Sequence, residues 1–74
     1  MPKPMSARAF NHALETLGLS QSKFAALTSV NPRTVRSYAS GDDPVPPKLQ
    51  LLLDAWLLLN RRGWWVAGEG IRRP

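Results

Sequence analysis

The sequence predicts a small all-α domain of four or five helices, to which a short C-terminal strand can be added. Apolar residues recur at helical spacing in several segments of the chain. Helix-capping residues stand before three of these segments, at Ser6, Ser20 and Asn31, and glycine follows two of them. The chain has 74 residues and no cysteine, so we expect its stability to rest on one small apolar core.

The first helix is expected to begin after Ser6 and to end at Gly18. Met5 and Phe10 are spaced as a hydrophobic staple around this start. The face that turns toward the core is then formed by Phe10, Ala13, Leu14 and Leu17.

A second, shorter helix should follow Ser20, with Phe24 and Leu27 facing inward and the small Ala25 allowing a close approach of the next helix. The free N–H groups of a helix start attract anions. The first turn of this helix adds a cation and two uncharged donors, Gln21, Ser22 and Lys23. It is therefore a candidate phosphate site.

The third helix should begin at Pro32, because Asn31 is a strong N-cap and proline is favoured at the first helical position. Val35 and Tyr38 fall on one face, and Gly41 supplies the left-handed residue that ends a helix. The opposite face carries Arg33, Arg36, Ser37 and Ser40. A short helix, a tight turn and a second helix with exposed cations have the layout of a helix-turn-helix, whose second helix enters the DNA major groove.

Residues 10–59, about two-thirds of the chain, resemble the Cro/CI-type (XRE-type) helix-turn-helix domain of phage repressors and small bacterial regulators. The resemblance implies a lambda-repressor-like fold. The matching stretches are Leu19-Ser20-Gln21 with Phe24-Ala25, then Thr34-Val35-Arg36-Ser37-Tyr38-Ala39-Ser40-Gly41, and Val45-Pro46-Pro47 leading into Leu51-Leu52-Leu53.

The resemblance also implies roles for individual residues. In that family the glutamine that matches Gln21 braces the recognition helix and touches a phosphate, and the positions that match Pro32, Arg33 and Ser37 face bases. Because Pro32 has no hydrogen-bonding side chain, we expect Arg33 to dominate base readout, through a bidentate contact to guanine. The expected base-reading residues are Arg33, Arg36, Ser37 and Pro32, and the expected phosphate contacts are Gln21, Ser22, Lys23, Asn31, Thr34 and Ser40.

The turn between these two helices departs from the family pattern. Ser29 stands where the family usually has glycine. We therefore expect Ser29 to adopt a left-handed backbone conformation, at a cost of about 1 kcal/mol.

A helix starting near Pro47 would carry leucines on nearly every side up to Leu59. A chain of this size has too little protein to cover them all, so a second copy is one remedy, and cover by the chain's own tail is the other. The short segment 63–68 favours a strand, which could pair with its symmetry mate or fold back to cap the leucine helix. The expected dimer interface consists of Leu52, Trp56, Leu59, Trp64 and Trp65.

Residues 1–60 are accordingly interpreted as the helix-turn-helix domain, and residues 61–74 as a tail for dimerisation or core capping. Arg61 and Arg62 are either a solvated helix end or a second phosphate contact. The net charge of +5 and an isoelectric point near 10.9 favour a polyanionic partner.

The sequence contains no pattern that is typical of a catalytic or metal-binding site. One histidine, His12, and five scattered acidic residues supply neither a nucleophile with its base nor a set of metal ligands, so we expect no enzyme activity, metal or cofactor. The longest apolar run is interrupted by Asp54 and too short to cross a bilayer. We expect a cytoplasmic protein of a phage or bacterium.

The expected function is a homodimeric transcriptional regulator that binds double-stranded DNA at an inverted-repeat operator. Repression is favoured over activation, because little of the chain remains to recruit a polymerase. The alternative is an antitoxin-type or other protein-binding helix-turn-helix module, in which the leucine helix or the tryptophan tail would dock a partner protein.

Overall fold

The structure is a computed structural model that describes residues 5–66 and 70–71. In this part of the chain the order of elements is α1 (Ala7–Leu17), α2 (Gln21–Thr28), α3 (Pro32–Ser40), α4 (Pro47–Arg61), β1 (Trp65–Val66) and β2 (Gly70–Ile71). The described chain is mostly helical, which confirms the expected helical class. None of its helices has both the length and the apolar character needed to span a membrane.

The helix starts agree with the caps predicted from the sequence. The Ser6 hydroxyl accepts from the Ala9 N–H at 3.1 Å, and the Ser20 hydroxyl accepts from the Lys23 N–H at 3.0 Å. The side-chain oxygen of Asn31 accepts from the Arg33 N–H at 2.8 Å. Each cap satisfies one backbone donor that the helix itself leaves without a partner.

Left-handed residues end the first three helices. Gly18 and Gly41 end α1 and α3 with φ of 67° and 85°. Ser29 ends α2 with φ 56° and ψ 31°, and its N–H donates to the Ala25 carbonyl oxygen. It is the one non-glycine residue with positive φ in the described chain, which confirms the expectation for this turn.

A chain of aromatic contacts connects the four helices. The ring of Phe10 in α1 lies edge-on to Phe24 of α2 at 5.3 Å between centroids and to Tyr38 of α3 at 5.9 Å. Phe24 in turn lies edge-on to Trp56 of α4 at 6.0 Å. Phe10 and Phe24 are fully buried, so the centre of the core is the point where α1, α2 and α3 meet.

Helix α4 buries only part of its apolar surface within the chain. Leu49, Leu53 and Trp56 are buried, whereas Leu51 is 70% exposed and Leu58 is 50% exposed. The part of the tail that the structure describes, up to residue 66 and residues 70–71, therefore does not cover Leu51 and Leu58.

The tail folds back on the helices, which is one of the two alternatives left open by the sequence. The Trp65 indole N–H donates to the Leu17 carbonyl oxygen at 2.7 Å, and its ring lies 5.0 Å from that of Trp56. Strand β1 pairs antiparallel with β2 of the same chain, with Trp65 opposite Ile71. Two residues of the predicted strand, 67 and 68, lie outside the described residues.

Candidate nucleic-acid interface

Helix α3 is held in place by its neighbours on two sides. Val35 is fully buried and Tyr38 is 8% exposed, and the helix packs against both α1 and α2. At its C-terminal end, the Asn11 side-chain amide of α1 donates to the Ala39 carbonyl oxygen at 2.8 Å. Gly41 adjoins α1, since a Cβ added to it would lie at ordinary van der Waals distance, 3.5 Å, from the Cβ of Ala7. The exposed side of α3 is therefore presented in a fixed orientation.

The outward side of α3 carries the side chains predicted to read bases. Successive residues of a helix are rotated by about 100°, so Arg33 and Ser37 lie opposite the buried Val35 and Arg36 lies at the edge of that face. Pro32, Arg33 and Arg36 are exposed, and Thr34 and Ser37 are half-buried. The structure thus brings Arg33, Arg36 and Ser37 together on one solvent-facing surface.

Ser37 and Ser40 do not offer their hydroxyls in the same way. The Ser37 hydroxyl donates to the Arg33 carbonyl oxygen at 3.3 Å, so its lone pairs remain available to an external donor. The Ser40 hydroxyl lies 3.1 Å from the Ser37 carbonyl oxygen and 2.9 Å from a carboxylate oxygen of Asp42. A carboxylate this close to Ser40 repels an approaching phosphate, a feature that the sequence reasoning missed.

The first turn of α2 has the groups expected of a phosphate site. The Phe24 N–H is the first to join the helix ladder, donating to the Ser20 carbonyl oxygen at 2.9 Å, and the Lys23 N–H is taken by the Ser20 hydroxyl. The N–H groups of Gln21 and Ser22 precede the ladder and are oriented along the helix axis toward solvent. The side chains of Gln21, Ser22 and Lys23 are exposed.

The start of α3 has fewer free backbone donors. Asn31 uses its side-chain oxygen on the Arg33 N–H, and Pro32 has no N–H. The Val35 N–H donates to the Asn31 carbonyl oxygen. This leaves the Thr34 N–H and the side-chain amide NH2 group of Asn31 as the donors at this helix end.

The exposed charges around α3 are positive toward its N-terminal part and negative just beyond its C-terminal end. The cations Arg33 and Arg36 are exposed on the helix, and exposed Lys23 belongs to the α2 start that precedes it. The two exposed carboxylates, Asp42 and Asp43, follow the C-terminal end. An anion is consequently attracted to the N-terminal part of this surface and repelled at its C-terminal edge.

Comparisons with known proteins identify no relative. No family model, no curated protein and no solved structure matches this chain. The function must therefore be inferred from the chain's own residues.

Outside the helix-turn-helix surface, the other possible sites among the described residues are metal-ligating clusters and grooves. No group of three metal-ligating side chains occurs within residues 5–66 and 70–71. His12 is exposed and lines an open, mostly apolar groove of about 530 Å³ between α1 and α4. Asp54 and Arg61 lie at the same groove.

The residues predicted to form a dimer interface fall into two groups. Trp56 and Trp65 are 8% and 7% exposed and lie in the core of their own chain, where they offer little surface to a second copy. Leu52 and Leu59 are half-buried, and Trp64 is 37% exposed. Among the large apolar side chains of the described residues, Leu51 and Leu58 have the largest exposed fractions, and neither was among those predicted.

Proposed function

We propose that this chain is a sequence-specific, DNA-binding transcriptional regulator in which α2 and α3 form a helix-turn-helix. The observation that carries the proposal is the arrangement of α3. Its inner face is fixed by Val35 and Tyr38, and its outer face presents Arg33 and Arg36 at the N-terminal, basic part of the surface. A rigid helix with cations on its outer face suits insertion into a major groove.

Arg33 is the residue to which we assign base discrimination. It is the second residue of α3, it is exposed, and its backbone is held by the Asn31 cap. A guanidinium there can donate two hydrogen bonds to O6 and N7 of a guanine, a contact that discriminates by about 1 to 3 kcal/mol. Pro32 beside it can contribute only apolar contact, for example with a thymine methyl group.

Arg36 and Ser37 lie one turn further along α3 and are assigned to the neighbouring base pair or its phosphate. Since the Ser37 proton is directed at the Arg33 carbonyl oxygen, Ser37 is suited to accept from an exocyclic amine of adenine or cytosine. Arg36, at the edge of the face, can reach either a base or the adjacent phosphate.

Phosphate binding is assigned to the first turn of α2. Two backbone N–H groups, the Gln21 amide, the Ser22 hydroxyl and the Lys23 ammonium all belong to the first turn of one helix, where the helix dipole also favours an anion. Asn31 and Thr34 add donors at the start of α3. Ser40 is left out of the proposed phosphate set because of its contact with Asp42.

The asymmetry of charge along α3 also sets the direction of approach. The N-terminal half of α3 would enter the groove, while Asp42 and Asp43 keep the C-terminal edge away from the phosphate backbone. Two copies related by a two-fold axis would place two such helices about 34 Å apart on an inverted-repeat operator. Binding there would act as repression by excluding the polymerase.

The test is selection of bound sites from a random pool of short DNA duplexes at near-physiological salt. We expect enrichment of an inverted repeat with half-sites about one helical turn apart. The Arg33→Ala protein should lose the preference at one position in each half-site. Arg61→Ala removes the same charge from the groove between α1 and α4, so it serves as the matched control and should select the same sequence as the wild type.

Enrichment of no sequence, together with weak binding that salt abolishes, would overturn the proposal. A protein-binding, antitoxin-type module would then be the better assignment. The observation that favours this second candidate is the mostly apolar groove between α1 and α4, whose walls include Met5, Ala9 and Leu57.

A further inference from the structure

Helix α4 has a second apolar face that its own chain covers only in part. It is formed by Leu51, Leu52, Ala55, Leu58 and Leu59, which we call the outer leucine face. Leu52 and Leu59 are half-buried because they also pack against the core. Leu51 and Leu58 are 70% and 50% exposed, and Ala55 is exposed between them. Soluble monomers rarely leave a continuous apolar stripe of this kind in water, so a binding partner is expected there.

The outer leucine face is symmetric about Ala55. Its leucines stand three and four residues before that alanine, and three and four residues after it. On an α-helix these offsets fall along one stripe. A two-fold axis through Ala55 would turn the helix into an antiparallel copy of itself, with Leu51 facing Leu59 of the second copy and Leu52 facing Leu58.

We propose that the outer leucine face binds a second copy of this chain, as an antiparallel pair of α4 helices whose two-fold axis passes at Ala55. Such an interface is isologous, so the same patch must face itself, and the spacing of these leucines is the same when the helix is read in either direction. The small side chain at the centre allows the helix axes to approach to about 8 to 10 Å. This inference rests on the homodimeric regulator proposed above and specifies which surface forms the dimer. The dimer itself can be measured without DNA.

Size and charge predict how strong the pair is. One helix face with the neighbouring Trp64, whose backbone N–H donates to the Leu59 carbonyl oxygen at 2.9 Å, is a small interface compared with the roughly 1,000 Å² that a stable, specific one needs. We therefore expect dissociation at micromolar concentrations. Exposed Lys48 and Arg62 lie seven residues on either side of Ala55, so the symmetry brings like charges together at the rim. Added salt should then strengthen the dimer, because it screens this repulsion.

Sedimentation equilibrium of the full-length protein, from about 1 to about 200 μM and without DNA, tests the proposal. We expect a concentration-dependent mixture of monomer and dimer for the wild type. The double variant Leu51→Glu with Leu58→Glu should raise the dissociation constant at least about a hundredfold, because it places four carboxylates in the interface. Both positions are largely exposed, so its circular dichroism should match the wild type. Leu27→Glu is the control outside the interface and should dimerise normally. The expectation that Leu27 faces inward was wrong, since it is 41% exposed on α2.

A cross-linking experiment tests the position of the axis. The chain has no cysteine, so Ala55→Cys introduces a single thiol that meets its own copy at the two-fold axis. Mild oxidation should give a covalent dimer at least about tenfold faster than for Leu27→Cys. A wild type that stays monomeric throughout, a normal dimer in the double glutamate variant, or equal cross-linking rates would each overturn the proposal.

The experiments distinguish failure of the proposed DNA-binding function from failure of the proposed α4 interface. A protein that dimerises through α4 but selects no DNA sequence would contradict the regulator and leave the interface standing. A dimer that the glutamate variant leaves intact, combined with selection of an inverted repeat, would contradict the interface alone. A wild-type dimer that added salt weakens would contradict the like-charged rim that this two-fold axis requires, and would overturn the proposed pairing.

Discussion

Replacing Trp65 by phenylalanine should destabilise the fold far more than the same change at the adjacent Trp64. Trp65 is 7% exposed and lies against Trp56. Its indole N–H donates to the carbonyl oxygen of Leu17, the last residue of α1, at 2.7 Å. The carbonyls of the last helical turn have no partner within the helix, so Trp65 acts as a side-chain cap for α1.

The loss of stability can be estimated from the two interactions that phenylalanine cannot make, the indole hydrogen bond and part of the ring packing. Losing the N–H leaves a buried carbonyl without its donor, which costs about 1 to 3 kcal/mol, and the smaller ring also gives up packing against Trp56. We expect Trp65→Phe to lower the free energy of unfolding by about 2 to 3 kcal/mol in total. For a domain of this size, that corresponds to a fall in melting temperature of about 8 to 24 °C.

Thermal and urea unfolding followed by circular dichroism would measure the effect. Trp64→Phe makes the identical chemical change at a side chain that is 37% exposed, and it should cost less than about 0.5 kcal/mol. If both variants lose the same stability, or if Trp65→Phe costs less than about 1 kcal/mol, the role of Trp65 as a cap is refuted.

Three further predictions concern the DNA-binding surface and its turn. Arg33→Ala should weaken operator binding by about 1 to 3 kcal/mol. Lys23→Ala should instead weaken binding to all DNA sequences alike and reduce the slope of log affinity against log salt by about 1. Titrations of matched and scrambled duplexes at several salt concentrations separate the two effects. Ser29→Gly should raise stability by up to about 1 kcal/mol in urea unfolding, because glycine adopts φ near 56° without strain, and a loss of stability would contradict this account. Asn31→Ala should cost about 1 kcal/mol through loss of the α3 cap, and an unchanged unfolding midpoint would show that the hydrogen bond to the Arg33 N–H contributes nothing.

The first three helices could be predicted from the sequence because their signals are local. A cap such as Asn31 acts on a backbone group two residues away. The left-handed Ser29 was expected from the family resemblance, which places glycine at this position of the turn. The inward positions of Phe10 and Val35 likewise follow from helical spacing within each segment. Local patterns of this kind also place Arg33 and Arg36 on the exposed face of α3.

The side of α4 that enters the core could not be predicted. Consecutive leucines carry no periodicity, so only the packing of α1 and the tail decides that Leu53 is buried and Leu51 is exposed. For the same reason Trp56 and Trp65 were assigned to a dimer interface although they lie in the chain's own core. The contact between Ser40 and Asp42 depends on the path of the chain after Gly41, which the sequence did not reveal.

The hydrogen bond between the Trp65 indole and the Leu17 carbonyl oxygen also affects when the protein can finish folding during its synthesis. The two residues are 48 positions apart, and ribosomes add about 5 to 20 residues per second. Leu17 is therefore synthesised roughly 2 to 10 s before the tryptophan that covers it. Until residue 65 has been synthesised, the Leu17 carbonyl oxygen lacks its indole donor, so the docking of Trp65 on α1 is a folding step that must follow translation of the tail.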